Sequence, residues 1–339
     1  PKDAEVMLQL GLLEQRANRP AEALALFQQG DGVQTRDMRP GLAAVEQQLA
    51  MGQNEAALAA ARTLVGKYPN AVQPLLVLAR AQLQSADRTQ AKTTLNEATK
   101  LAGFDPVPLA QIGRLQLAAG NLDGASHAAA KAVQGSPDDP TALMLGVEVA
   151  ARRGNAAEVD KAMAALRPKG VRAFRIQPRY GKAPPARWLG PAGYDAMFAE
   201  AARTGAVLSC LIDPDGLPEV DRMCRKHPES PVIIDHLCRI GVNGMIRDED
   251  VELLCSMAKH PKVLVKVGAF YALGKKSPPY TDLVPLIERV VRAFGVRRCM
   301  WESDCPFQVV QHKYDESVAL VRDLMPAMTI TNWRGRAVN

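Results

Sequence analysis

A turn-then-helix start returns every 34 residues through the first half of the chain, and that constant period restricts the fold more than any other feature. The starts are Asn18-Arg-Pro-Ala-Glu-Ala23, Gly52-Gln-Asn-Glu-Ala-Ala57, Ala86-Asp-Arg-Thr-Gln-Ala91, Gly120-Asn-Leu-Asp-Gly-Ala125 and Gly154-Asn-Ala-Ala-Glu-Val159. Each carries a small or compact residue at its sixth position: Ala23, Ala57, Ala91, Ala125, then Val159. One helical turn further along the same face come Phe27, Ala61, Leu95, Ala129 and Met163. A second amphipathic segment precedes each turn, as in Val6–Leu13 and Pro74–Leu83, and Pro69 and Pro137 stop helices between units. Such a unit cannot bury its apolar stripe alone, so the hairpins are expected to stack as a solenoid with a concave face.

This register resembles the tetratricopeptide repeat family over residues 1–168. The resemblance implies an all-α domain that binds a protein or peptide on its concave side. His127, Lys131 and Gln111 are candidate groove residues, and each also suits a solvated helix face.

Composition changes near residue 170. All 6 Cys (210, 224, 238, 255, 299, 305) and all 3 Trp follow it, together with a Val-, Ile- and Pro-rich character that suits strands and irregular loops. The cysteines form no C-x-x-C pair and sit singly in apolar runs, the pattern of free thiols in a reducing compartment. The net charge of +6 comes from 42 basic residues interleaved with 36 acidic ones, so no concentrated basic footprint marks a nucleic-acid partner. The opening residues show no secretory h-region, and no apolar stretch reaches the ~20 residues of a membrane span. A cytoplasmic location, with no membrane contact, is expected.

From Gly170 onward apolar runs alternate with helical segments, the pattern of β/α units on a parallel sheet. The runs are Val171–Ile176, Ala206–Ile212, Pro231–His236, Val263–Val267 and Arg298–Trp301, separated by helices near 191–203, 216–227, 248–259 and 280–294. Two runs end in metal-capable side chains: Pro231-Val-Ile-Ile-Asp-His236 and Cys299-Met-Trp-Glu-Ser-Asp304-Cys-Pro306.

Gly170–Ile176, Pro231–Gly241, Val265–Gly274 and Cys299–Phe307 together resemble the amidohydrolase-related family of metal-dependent hydrolases, which are (β/α)8 barrels of the TIM type. The resemblance runs from about residue 165 to 323 and assigns the runs to the last five barrel strands. The chain then divides into a solenoid at 1–168, a partial barrel at 169–323 and an irregular tail at 324–339. The resemblance gives no counterpart here for the barrel's opening strands, and no His-x-His pair occurs in the sequence. It also finds Cys210 where many relatives have a metal-binding His, and Gly268 where a Ser is common. A partner copy that completes the barrel in trans would cover both sheet edges.

The resemblance makes Asp304 a metal ligand that also takes a proton from water, and places His236 in the metal or substrate pocket. An imidazole and a carboxylate suit Zn2+, or Mn2+, and such an ion lowers the pKa of a bound water. Intact relatives process small carboxylate or lactone-type substrates. Arg175 and Arg239 suit either bidentate contact with a substrate carboxylate or scaffold ion pairs. Lys266, inside an apolar strand, must face the barrel mouth or pair with a carboxylate. Tyr271 and Trp301 are expected to pack, and His227, His260 and His312 to be exposed. The second reading from the sequence is a non-catalytic interaction scaffold with an inert barrel remnant.

Overall fold

A backbone hydrogen bond recurs at the ends of the first helices of four repeats. It runs from Arg19 N to Glu14 O (2.9 Å), Gln53 N to Gln48 O (2.9 Å), Asp87 N to Gln82 O (2.8 Å) and Asn121 N to Gln116 O (2.8 Å). This is the closing bond of a Schellman-type helix end, which needs a left-handed residue just before the donor. At the last three of these bonds Gly52, Ala86 and Gly120 supply it with φ of 72°, 62° and 75°, and Gly154 at the fifth turn also has φ of 75°. The computed structural model describes residues 3–17, 19–33, 36–178, 187–305 and 307–324. Asn18 and Pro306 of the motifs above, and the tail from 325 to 339, lie outside them.

The described helical segments are α1 (Ala4–Arg16), α2 (Pro20–Gly32), α3 (Arg39–Ala50), α4 (Asn54–Lys67), α5 (Val72–Gln84), α6 (Arg88–Leu101), α7 (Pro106–Ala119), α8 (Leu122–Gly135), α9 (Pro140–Arg153) and α10 (Ala156–Leu166). Asp87 and Asn121 cap α6 and α8 by accepting from Gln90 N (3.0 Å) and Gly124 N (3.1 Å). The repeat's sixth positions are fully enclosed: Ala23, Ala57, Ala91, Ala125 and Val159 are all 0% exposed. Neighbouring hairpins share one core, in which Leu75, Ala79, Leu95, Ile112, Ala128 and Ala142 pack together. Ion pairs also follow the period. Arg80 pairs with Glu46, and Arg114 with Glu148 at 3.7 Å, each across 34 residues. Of the candidate groove residues, Lys131 is tied to the Thr99 carbonyl at 2.9 Å, whereas His127 and Gln111 are exposed. This is the tetratricopeptide-type solenoid the period implies.

The other half is a parallel sheet of five described strands in sequence order: β1 (Ala173–Ile176), β2 (Val207–Cys210), β3 (Val232–Ile234), β4 (Val263–Gly268) and β5 (Cys299–Glu302). Helices α11 (Ala192–Thr204), α12 (Leu217–Lys226), α13 (Asp248–Ser256) and α14 (Val284–Phe294) connect them, and α15 (Gln308–Gln311) and α16 (Tyr314–Leu324) follow. β1, β2 and β3 are shorter than their apolar runs, since flanking residues such as His236 turn away into loops, whereas β4 and β5 each reach one residue further, to Gly268 and Glu302. This order of parallel strands and helices forms part of a TIM-type barrel.

Register sorts the side chains. Phe174, Leu208, Val232 and Val263 lie in one row, and Ile176, Cys210, Ile234 and Val265 in the next row on that face; all are buried. The opposite face carries Arg175, Ser209, Ile233 and Leu264 in one row, with Lys266 beyond. The polar residues of this sheet therefore share one face and gather toward the strands' C-terminal ends.

Contacts divide the chain into two units, Pro1–Arg153 with Lys161–Leu166, and Gly154–Asp160 with Arg167–Asn339. No helix among the described residues is long and apolar enough to cross a membrane.

Candidate metal centre

β3 ends in a backbone conformation that its sequence does not advertise. His236, Leu237, Cys238 and Arg239 all have left-handed φ, at 52°, 50°, 55° and 54°, without a glycine among them. Each such residue costs on the order of 1 kcal/mol or more, so the surrounding packing must impose the turn. Leu237 and Cys238 are 0% exposed and anchor it. The loops after β4 and β5 use the same device at Ala269 (φ 55°) and Asp304 (φ 58°).

These turns bring His236, Glu302 and Asp304 together, with one donor atom from each lying within 4.8 Å of the others. The His236 Nδ1 is hydrogen-bonded to Glu302 Oε1, and its Nε2 lies 3.8 Å from Asp304 Oδ1. The phenol of Tyr271 donates to the other Asp304 oxygen, Oδ2, at 2.8 Å. Tyr271, expected only to pack, is thus part of the site, and Glu302 is a member that its place in the strand did not reveal. Trp301 does pack, edge-on against Tyr314 with centroids 5.7 Å apart.

Burial opposes charge on the His236 ring, but the hydrogen bond to Glu302 and the negative charges of Glu302, Asp304 and Asp235 outweigh it and raise its pKa above the usual imidazole value. Burial, followed by the bond and charge of Asp304, drives the Tyr271 phenol upward, so it stays a protonated donor at neutral pH. Negative charge has been concentrated around one imidazole. The donor set fits a divalent cation: two ligands of one tetrahedral zinc ion, each at about 2.0–2.1 Å, stand roughly 3.4 Å apart, near the Nε2–Oδ1 spacing and too far for a hydrogen bond.

Beside His236 lies a second polar group. The Asp235 carboxylate is 0% exposed, accepts from Ser209 Oγ (2.9 and 2.8 Å), and pairs with Lys266 Nζ (3.1 Å) and Arg175 Nε (3.3 Å). Of the two alternatives for Lys266, pairing with a carboxylate is the one realised. Arg175 keeps half its side chain exposed. Arg239 stands apart from this group and pairs with Asp213 at 3.0 Å. Asp235 and Ser209 escaped sequence reasoning because their partners come from other strands.

Three histidines require correction. His227 is largely buried and bonded to Asp195 at 2.7 Å, and His260 is buried and bonded to Asp221 at 2.6 Å. His312 is half-buried near the rings of Tyr271 and Tyr280. Helix-end position and a following Pro suggested exposure, but acidic residues of neighbouring helices draw the first two rings inward. Cys210 faces the buried side of the sheet, away from the His236 group, so it does not stand in for a ligand.

The sequence profile of the amidohydrolase family matches residues 102–327. An L-fucono-1,5-lactonase of Burkholderia multivorans is 25% identical over 125 residues, covering 34% of this chain and 42% of the lactonase. The chain thus spans less than half the length of that relative. A crystal structure of an amidohydrolase from Burkholderia multivorans is 21% identical over 52% of this chain and 64% of its own, with a TM-score of 0.44. A second crystal form of that amidohydrolase contains bound zinc and is similar at 20% identity, over 50% of this chain and 64% of its own, with a TM-score of 0.43. A tetratricopeptide repeat protein of Thermus thermophilus is 23% identical over 49% of this chain and 93% of its own, with a TM-score of 0.38.

Proposed function

The chain belongs to the amidohydrolase family, and we propose that its β/α unit is a metal-dependent hydrolase of small carboxylate or lactone-type substrates. The observation that carries this reading is the approach of His236 Nε2 to Asp304 Oδ1, with the remaining polar atom of each side chain already held by another residue. His236 and Asp304 would hold the ion, zinc in the first instance and manganese as the alternative. When bound, such an ion supplies Lewis-acid activation of water and of a substrate carbonyl.

The chain's own groups do the rest. Asp304 receives a proton at the carboxylate, with the Tyr271 phenol steadying its second oxygen. Arg175 and Lys266, held on one face by Asp235, anchor a substrate carboxylate or, with a lactone, the carboxylate that ring opening generates, and Arg239 offers a further guanidinium. A sugar lactone, the substrate class of the lactonase relative, is the first to test. The helical unit would bind a protein or peptide. A second copy would complete the barrel along the β1 and β5 edges.

Turnover of a panel of sugar lactones, followed by acid release in the zinc-loaded 339-residue chain, tests the reading. Asp304→Asn is expected to lower the rate about 10²–10⁴-fold, the contribution of a positioned acid–base group. Activity untouched by this change would refute it. A rival reading, an interaction scaffold whose β/α unit does no chemistry, draws on the short match to the lactonase, 42% of its length. That reading predicts no hydrolysis of the panel and no stoichiometric metal.

A further inference from the structure

Each of the two proposed ligands has two atoms that could face an ion, and in each one of them is engaged elsewhere. His236 uses Nδ1 toward Glu302, which leaves Nε2. Asp304 uses Oδ2 to accept from Tyr271, which leaves Oδ1. The two atoms left over are the pair that face each other at 3.8 Å. The two clamps come from separate elements: Glu302 closes β5, and Tyr271 lies in the short helical turn Phe270–Ala272 after β4. Glu302 is opposite Gly268 in the ladder, where a Cβ would come within 2.0 Å of the Glu302 carbonyl oxygen. The absence of a side chain at Gly268 therefore sets how closely the strand bearing Glu302 approaches.

We propose that Glu302 and Tyr271 are positioning residues of the metal centre rather than ligands. Glu302 would fix the ring orientation and the Nδ1–H tautomer of His236, and Tyr271 would fix the carboxylate of Asp304, so that Nε2 and Oδ1 are presented together. A group bonded to the far nitrogen of a metal-binding imidazole determines both which nitrogen is free and how the ring points. Immobilising both ligands before the ion arrives reduces the ordering cost of binding, so loss of either clamp weakens affinity. The inference rests on the reading that His236 and Asp304 are the ligands.

Two measurements on the full chain test it. In Co2+ titrations followed by visible absorption, Glu302→Ala is expected to weaken affinity about 10–100-fold and Tyr271→Phe about 10-fold, the usual range for partners behind a metal ligand. Glu302→Gln keeps a carbonyl oxygen that accepts from Nδ1–H, so it should retain most of the wild-type affinity and the wild-type Co2+ spectrum. Equal losses in Glu302→Gln and Glu302→Ala, with an altered spectrum, would make Glu302 a third ligand and overturn its assignment. An unchanged affinity in Tyr271→Phe would overturn the other clamp. Histidine 15N shifts in the metal-free chain, recorded above the titration of His236, give an independent check. Nδ1–H is expected in the wild type, shifting toward Nε2–H in Glu302→Ala, and an unshifted tautomer would contradict the role of Glu302. A wild-type chain that takes up no Co2+ while its His236 is held as Nδ1–H would refute the proposed function instead, and with it this role for the two residues.

Discussion

The Lys266 ammonium lies 3.1 Å from Asp235 Oδ1, and that carboxylate is wholly enclosed. A fully buried carboxylate is stable only when its oxygens are satisfied, and Ser209, Lys266 and Arg175 together do this. The arrangement joins β1, β2, β3 and β4 on the face that also carries the site. It holds two cations, Lys266 and Arg175, against one carboxylate.

Asp235→Ala should therefore destabilise the β/α unit. Breaking a fully buried pair costs about 3–5 kcal/mol. Water reaches Lys266 (22% exposed) and Arg175 (49% exposed), so a loss of about 2–3 kcal/mol is expected here. Urea unfolding followed by tryptophan fluorescence reports this unit, because all three tryptophans follow residue 170. The double change Asp235→Leu with Lys266→Met should recover much of the loss, since it leaves no stranded ammonium.

Gly268→Ala is expected to be costly out of proportion to one methyl group. The added carbon would meet the Glu302 carbonyl oxygen at 2.0 Å, a backbone atom that moves only with β5. Overpacking of this kind costs about 1–3 kcal/mol. Because the displaced residue clamps His236, the variant should also lose metal affinity, read by the same Co2+ titration. A variant with wild-type stability and affinity would show that β5 adapts freely.

Acid sensitivity should be traceable to Asp221. Its burial alone would raise the carboxyl, but hydrogen bonds from Lys259 and His260, together with the charges of Lys259 and Arg225, bring it below the ordinary value of 3.8. The folded protein thus binds this proton more weakly than the unfolded chain does. The resulting stabilisation is complete above about pH 4 and is lost as pH falls through the depressed folded value. Lys259→Met should move the acid-unfolding midpoint of the β/α unit to higher pH. An unmoved midpoint would assign acid unfolding to other groups.

The solenoid was legible because its signals are local. A period of 34 residues, the small residues at Ala23, Ala57, Ala91 and Ala125, and the left-handed turns all lie within one hairpin. His236 and Asp304 were legible as residues just past apolar strands. Their partners were not, because Glu302, Tyr271, Ser209 and Asp235 gain meaning only when separate strands align. The turn at His236–Arg239 hid from sequence reasoning for a different reason. Positive φ is read from Gly or Asn, and here buried Leu237 and Cys238 impose it instead. The same non-local effect drew His227 and His260 inward to Asp195 and Asp221.

The convergence of His236 and Asp304 on a shared ion is tested most directly by zinc K-edge X-ray absorption on the 339-residue chain dialysed against Zn2+, with metal content measured in parallel. The expected result is one equivalent of zinc in a shell of nitrogen and oxygen atoms at about 2.0–2.1 Å, including one imidazole, lost in both His236→Ala and Asp304→Asn. Substoichiometric zinc in the wild type, or a shell unchanged in both variants, would contradict it.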